Sequence, residues 1–224
     1  MLNPRRLLPM GGGSIPACAV SCLTILSLIA ELLSGVASHR DLRHAQVVGQ
    51  SSNYTCGPAA VSTLLTYYYG IPITEMEALE LAEAAMRAEG GQPGRERGIN
   101  ALALLRVLEA KGIPTTGYRV SLGALHDYFE RGGLPLIAHL TTPNKHFVVA
   151  VGVVNDHVVL ADPTWGRSII PFSALIEERG YRGVVLVPIP NPGITQRVRA
   201  AQQATLTWAR QRLAALSRLR ESLP

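Results

Sequence analysis

Apolar side chains recur every three or four residues through much of the first half of the chain, as they do when one face of an α-helix is buried. The pattern predicts four helices, over residues 57–69, 74–88, 99–111 and 121–131. Thr74 and Ser121 are the expected N-caps, and Glu77 completes a capping box with Thr74. A turn-rich loop over residues 89–98 separates the second helix from the third.

After residue 133 the helical spacing gives way to short apolar runs rich in β-branched residues. These runs predict strands over residues 134–140, 146–154, 157–161, 167–170 and 183–188. Because the helices come first and the strands later, the order predicts an α+β fold rather than alternating α/β units.

We interpret Asn191-Pro192-Gly193 as the end of the main domain. Residues 194–223 contain neither glycine nor proline and predict one helix, with a rough apolar stripe flanked by arginines. This pattern favours a helix that docks on the domain or frays in solvent, and a helix that binds a partner or a membrane surface is the alternative. The predicted organisation is a domain over residues 38–190 followed by a basic amphipathic helix over residues 191–224.

The first 37 residues have the anatomy of a secretory signal. Arg5 and Arg6 precede an apolar run from Ile15 to Ala30, and Gly35-Val36-Ala37 supplies small residues before a predicted cut after Ala37. The alternative is an uncleaved membrane anchor, because Ile15 to Ala37 is 23 residues, long enough to span a bilayer. Both interpretations predict an exported protein, periplasmic or extracellular.

Composition narrows the class of protein. A chain of 224 residues with 47% hydrophobic residues can bury the core of one sizeable domain. The net charge of +5 comes mostly from arginines near the two ends of the chain. Nucleic acid is not an expected partner, because no reader motif and no aromatic-interleaved basic patch accompanies that charge.

The chain has three cysteines, Cys18, Cys22 and Cys56, and the first two lie in the segment that export would remove. The mature protein would then hold a single thiol, at Cys56, which cannot form an internal disulfide. Such a thiol is either a small buried hydrophobe or a reactive group. The histidines and this cysteine lack the spacing of a zinc site, so no metal or other cofactor is expected.

The neighbours of Cys56 favour a reactive thiol. Cys56 directly precedes a predicted helix whose first position is Pro58, and the free N–H groups of a helix start stabilise a thiolate. Gly57 permits close approach of a substrate, and the amide of Gln50 can donate to an oxyanion. The alternative for Cys-Gly-Pro is a tight helix start with no chemical role.

His146 is the candidate general base, because it begins the longest β-branched run beside a polar loop. Asp162 ends the following strand, where a carboxylate bonded to one ring nitrogen would fix the tautomer and leave the other for the thiol. The alternative role for Asp162 is to cap a turn before Pro163. His139 and His157 are rival bases that lack this strand-end setting.

The turn between the two strands decides whether His146 and Asp162 share a face, because side chains alternate along a strand. A regular hairpin with a two-residue Asn155-Asp156 turn would put them on opposite faces. A loop of odd length, or a β-bulge, would make them near-diagonal neighbours within side-chain reach. Gly152 is the expected site of such a bulge.

Two segments, Gln50 to Gly70 and His146 to Gly166, closely resemble the bacteriocin-processing peptidases, cysteine peptidase family thirty-nine. The resemblance covers roughly residues 46–188 and implies a papain-like fold with an antiparallel sheet. It also implies a cysteine endopeptidase in which Cys56 is the nucleophile, His146 the base, Asp162 the third member and Gln50 the oxyanion residue.

The substrate implied by the resemblance is a peptide or protein precursor, often cut after a Gly-Gly pair. Many family members are domains of exporters that act on the cytoplasmic side, whereas residues 1–37 here predict export and possible membrane attachment through residues 15–37. Two alternatives stay open: a non-catalytic peptide-binding or maturation factor, and a papain-like amidase or transferase.

Overall fold

The computed structural model describes residues 38–94 and 98–221. Seven helices lie in this part of the chain: α1 His39–Arg43, α2 Cys56–Thr63, α3 Glu75–Ala88, α4 Ala101–Ala110, α5 Leu122–Glu130, α6 Ala174–Glu177 and α7 Pro192–Glu221. A wide helical turn, Leu64–Tyr69, continues α2. Six strands follow or interleave with them: β1 Thr115–Arg119, β2 Leu136–Leu140, β3 His146–Val154, β4 His157–Asp162, β5 Gly166–Pro171 and β6 Val184–Pro188.

The strands form one antiparallel sheet in the order β1-β6-β2-β3-β4-β5. One hydrophobic cluster packs α2, α3, α4 and α7 against one face of the sheet. A second cluster covers the other face, where α5 and α6 lie. The α+β prediction is therefore confirmed, with helices on both faces of a sheet whose strands come from the second half of the chain.

The local signals placed most helix starts correctly. The Thr74 hydroxyl accepts a hydrogen bond from the Glu77 backbone N–H at 3.1 Å, and Ser121 caps α5 in the same way. Glu77 does not complete the predicted capping box, because its carboxylate bonds to Lys111 instead. The third helix begins at Ala101 rather than residue 99, because Asn100 is its N-cap.

The turn between β3 and β4 has two residues, Asn155 and Asp156, with φ of 48° and 56°. Near this turn Gly152 pairs with Val159, whereas beyond it Ala150 pairs with Leu160, so one residue is inserted into β3. The predicted β-bulge at Gly152 is thus confirmed. It reverses the parity of the hairpin and brings Asp162 to the face that His146 occupies.

The C-terminal helix begins at Pro192, two residues earlier than expected, so Pro192 and Gly193 lie in its first turn. Proline is compatible with this position because the first N–H groups of a helix have no intrahelical partner. The first half of α7 docks on the domain through a set of buried side chains: Val198, Gln202, Thr205, Leu206 and Ala209.

The signal or anchor predicted for residues 1–37 lies outside the described residues. Within residues 38–94 and 98–221, no helix has both the length and the apolar character needed to cross a bilayer.

Candidate active site

Cys56 is the first residue of α2 rather than the residue before the helix, because the Ala59 N–H already bonds to the Thr55 carbonyl at 2.9 Å. Pro58 therefore occupies the third helical position, where its missing N–H is still harmless. Cys56 is a free thiol with 7% of its surface exposed. Its backbone N–H belongs to the first turn and has no partner within the helix.

The His146 ring lies beside this helix start, at the beginning of β3. Its Nε2 is 2.8 Å from Oδ1 of Asp162, the last residue of β4. The bond to Asp162 leaves Nδ1 as the ring nitrogen that is free for the thiol. The structure thus brings together the three side chains that the sequence had singled out.

The carboxylate of Asp162 is fully buried and uses both of its oxygens. Oδ1 also accepts from the backbone N–H of Thr164 at 2.8 Å and of Trp165 at 3.2 Å. Asp162 is consequently both the turn-capping aspartate of the alternative interpretation and the partner of His146.

Arg179 is a charged partner of Asp162 that sequence reasoning did not find. Its Nη2 lies 2.9 Å from Oδ2 of Asp162, on the side away from His146. Arg179 follows α6 and is 17 positions from Asp162 along the chain. Only the folding of the segment after β5 back against the end of β4 brings the two together, and no local sequence signal marks such a contact.

The electrostatics favour a charged imidazole. Burial lowers the pKa of His146, but its hydrogen bond to Asp162 and its interaction with Cys56 outweigh burial and raise that pKa to about 9. Burial opposes ionisation of Asp162, yet the His146 contact and the two backbone N–H donors hold the pKa of this carboxyl below its usual value. An imidazolium beside a thiol is the arrangement that a cysteine nucleophile requires.

Gln50 lies at the same end of the sheet, in the segment that leads into α2. Its backbone N–H bonds to the Pro163 carbonyl at 3.0 Å, and its Oε1 accepts from the Thr164 hydroxyl at 2.9 Å. Its Nε2 donates one hydrogen to the Ser52 carbonyl at 3.0 Å. Because an amide NH₂ carries two hydrogens, the second is free to donate to an oxyanion.

A cleft of about 540 Å³ opens beside His146 and Gln50, and neither Cys56 nor Asp162 is among the residues that line it. Gln50, His146, Thr164, Trp165 and Arg179 are among the residues that line it. Trp165 is largely exposed and offers an aromatic surface at the rim, stacked against the Arg43 guanidinium. The cleft is large enough for a few residues of an extended peptide.

The rival bases lie in unsuitable places. His157 is at the turn end of β4, where its Nδ1 contacts the Asn155 carbonyl. His139 packs against the Phe147 ring at 4.7 Å, and burial, together with the positive charges of Lys145 and His146, lowers its pKa. In the part of the chain that the structure describes, no three His, Cys, Asp or Glu side chains group closely enough to hold a metal ion.

Comparison with protein families finds that the model of the peptidase C39 family matches residues 44–193. A protein of Pseudomonas aeruginosa, "Probable functional amyloid protease FapD", is 29% identical over 157 residues, 69% of this chain. That match spans 65% of the FapD protein's own length. "Lactococcin-G-processing and transport ATP-binding protein LagD" of Lactococcus lactis is 26% identical over 65% of this chain and 19% of that protein.

Two solved structures share the fold. The first is the peptidase domain of Streptococcus ComA, a bifunctional ABC transporter. The alignment covers 65% of this chain and 98% of the ComA domain, with a TM-score of 0.54 and 20% identity. The second is a double glycine motif protease from an AMS/PCAT transporter, solved in complex with the leader peptide. The alignment covers 65% of this chain and 91% of the protease chain, with a TM-score of 0.51 and 25% identity.

Proposed function

The chain belongs to the peptidase C39 family of cysteine peptidases, and on that premise we propose that it hydrolyses peptide bonds with Cys56 as nucleophile, His146 as general base and Asp162 as the orienting carboxylate. The observation that carries the proposal is the 2.8 Å contact between His146 and Asp162 beside the helix start that bears Cys56. A non-catalytic binding module would have no need of a buried carboxylate that holds one histidine in place.

The first half of the reaction forms an acyl-enzyme. The Cys56 thiolate attacks the carbonyl carbon of the scissile bond, and the second hydrogen of the Gln50 amide and the Cys56 backbone N–H donate to the developing oxyanion. The imidazolium of His146 then gives its proton to the leaving amine as the C–N bond breaks.

The second half releases the acid. Neutral His146 takes a proton from a water molecule as the water oxygen attacks the thioester. The thiolate leaves, the new carboxylic acid departs, and the Cys56–His146 ion pair is restored. Asp162 keeps the ring oriented throughout and stabilises it each time it is charged.

The substrate we infer is a peptide or protein precursor with small residues at the cleavage site. Cys56 is 7% exposed and the His146 side chain 17%, so a bulky residue next to the scissile carbonyl would be held away from the sulfur. A Gly-Gly pair meets this requirement, and the related double glycine motif protease was solved with a leader peptide bound. FapD, named as a probable functional amyloid protease, suggests a functional amyloid protein as a second kind of precursor.

We place the activity outside the cytoplasm. Residues 1–37 support this proposal, because a basic start, an apolar run and a small-residue end are the parts of a secretory signal. The same residues would hold the peptidase at a membrane if they were retained.

The test is digestion of a proteome-derived peptide library, followed by mass spectrometry of the new termini. The parent protein should generate termini preceded by small residues, and Cys56→Ala should generate none while keeping the parent's circular dichroism spectrum. Identical cleavage by Cys56→Ala would rule out Cys56 as the nucleophile. A folded parent that cleaves nothing would support the binding module instead.

A further inference from the structure

The β-bulge in β3 leaves one residue without a place in the sheet. Val151 lies between the pairs Ala150–Leu160 and Gly152–Val159, and it has no partner in the described register with β2 or with β4. Its side chain is fully buried. A buried carbonyl at such a position needs a donor from outside the sheet.

That donor comes from α7. The side-chain Nε2 of Gln202 bonds to the Val151 carbonyl at 2.7 Å and to the Gly133 carbonyl at 2.8 Å. Both hydrogens of the amide are used, and the two acceptors fix which end of the amide faces them. Gln202 is itself 5% exposed, so water does not substitute for these contacts.

The same helix also covers the second residue of the bulge. A Cβ atom on Gly152 would lie 3.0 Å from Cδ2 of Leu206, tighter than nine in ten real Cβ contacts, so Leu206 would have to move by a few tenths of an ångström. The absence of a side chain at residue 152 therefore lets α7 seat Leu206 on the bulge and reach Val151 with Gln202. Nearly all of α7 lies beyond the residues that match the family model.

We propose that Gln202 is a positioning residue for catalysis, which acts from the C-terminal helix by holding the β3 bulge that lets Asp162 face His146. The inference rests on the proposed triad. With the bulge in place, Ala150 lies opposite Leu160 and Val149 lies opposite Ala161 at the end of the hairpin that carries the site. Without the bulge, the register of the turn end would continue, and Asp162 would point to the opposite face from His146.

Gln202 thus works through a chain of contacts. Its amide satisfies the Val151 carbonyl, the bulge sets the parity of β3 against β4, and the parity decides which face Asp162 takes. Loss of the amide would leave a buried carbonyl unpaired, and this favours the regular hairpin over the bulged one. The C-terminal helix is in this sense part of the active site without touching substrate.

The test compares Gln202→Met, which keeps the length but removes the donor, with Gln203→Met at the exposed neighbouring position. Two readouts are used on the full chain: NMR titration of the His146 imidazole, and alkylation of Cys56 by iodoacetamide at pH 7, followed on the Cys56 peptide by mass spectrometry. The titratable and charged groups around His146 are Cys56, Asp162, His139, Lys145 and Arg179, and neither variant alters them.

Gln202→Met should move the pKa of His146 from about 9 toward 6.5 and slow alkylation by about tenfold or more, since one pKa unit is a factor of ten. Gln203→Met should match the parent in both. A folded Gln202→Met with the parent's titration and rate overturns the proposal, even if its melting temperature falls. Should it not fold, Gln202→Asn, which keeps the amide on a shorter stem, is measured by the same criteria and should give intermediate values.

The same two measurements on the parent protein distinguish failure of the positioning role from failure of the proposed triad. A parent whose His146 titrates near 6.5 and whose Cys56 reacts slowly would contradict the triad itself, and the positioning role with it. A parent that behaves as expected while Gln202→Met is unchanged contradicts the positioning role alone.

Discussion

At the scale of single residues, Asp162 lies between two cationic side chains, with His146 on Oδ1 and Arg179 on Oδ2. A carboxylate without solvent contact needs partners of this kind, because burial alone would favour its neutral form. The two backbone N–H groups of the following turn add to the same effect. The arrangement keeps a negative charge fixed beside the imidazole, and this charge, together with the interaction with Cys56, raises the pKa of His146.

The pH dependence of His146 follows from this charge. Its folded pKa is raised to about 9, so the imidazolium persists through neutral pH and is lost as the pH rises through that value. Activity that needs the imidazolium should therefore fall on the alkaline side. Asp162→Asn removes the charge, and NMR titration should then find the His146 pKa lowered from about 9.

Asp156→Asn is the matched control for that titration, since the Asp156 side chain is 95% exposed at the far end of the hairpin. It should leave the His146 titration unchanged. An unchanged titration in Asp162→Asn as well would show that the carboxylate does not govern the histidine.

Arg179→Met should destabilise the protein and move the acid limb of activity to higher pH. The change leaves Oδ2 of Asp162 buried without its cation, which costs roughly 2–3 kcal/mol and raises the pKa of the carboxyl. Urea unfolding and a pH–rate profile measure the two effects. Arg182→Met, at an exposed position three residues on, should alter neither; equal behaviour of the two variants would mean that the Asp162–Arg179 pair has no role.

The sequence was informative about residues whose local context carries the chemistry. Cys56 at a helix start and His146 and Asp162 at strand ends are recognisable because each setting is local. Arg179 and Gln202 are not, because a loop after α6 and a C-terminal helix meet the site only through tertiary packing.

At the scale of elements, the β3–β4 hairpin carries the main geometric constraint. Both turn residues have positive φ, as a two-residue turn with the right-handed twist of a hairpin requires. The need for His146 and Asp162 to share a face, together with the glycine at residue 152, predicted the bulge. The donor to the bulge could not be predicted, because nothing in the sequence assigns Gln202 to that carbonyl.

Asp156→Gly should stabilise the protein by roughly 0.5–1 kcal/mol, because glycine adopts φ of 56° without steric strain. Asp156→Ala should destabilise it by a similar amount, since a Cβ atom with no compensating polar group is disfavoured there. Chemical denaturation measures the free energy of unfolding of both variants. The same sign for both changes would contradict a two-residue turn, and activity should be unaffected in either case.

Strand β1 shows where element prediction fails. Thr115–Arg119 is exposed at four of its five positions and contains a glycine, so it lacks the apolar alternation of a strand. It becomes a strand only because β6, more than sixty positions later in the chain, pairs with it at the sheet edge. Helices α1 and α6 were not predicted either, because they are too short to show the periodicity of a helix.

At the scale of the whole molecule, the C-terminal helix is part of the domain through its first half. Tyr68 contacts the Thr205 hydroxyl, and the Arg167 guanidinium stacks on the Trp208 ring at 4.2 Å. Docking of this helix, the favoured interpretation of its pattern, is confirmed for the half that is buried. The choice could not be made from periodicity alone, because a docked face and a membrane-binding face have the same spacing.

Export is the prediction that concerns the N-terminal end. Protein isolated from its native host should begin at Ser38, without Cys18 and Cys22, because the cut is expected after Ala37. Mass spectrometry of the intact protein measures this directly. A mass that includes residues 1–37 would favour the membrane anchor, and recovery of that full-length form from the cytoplasm would contradict export.

The central claim is that Cys56 is a nucleophile activated by His146, and the rate of Cys56 alkylation by iodoacetamide across pH tests it most directly. We expect the parent to react rapidly at neutral pH, because the imidazolium stabilises the thiolate. His146→Ala should react slowly there and gain reactivity only at alkaline pH, as an ordinary thiol does. Identical profiles for the parent and His146→Ala, both those of an ordinary thiol, would contradict the account.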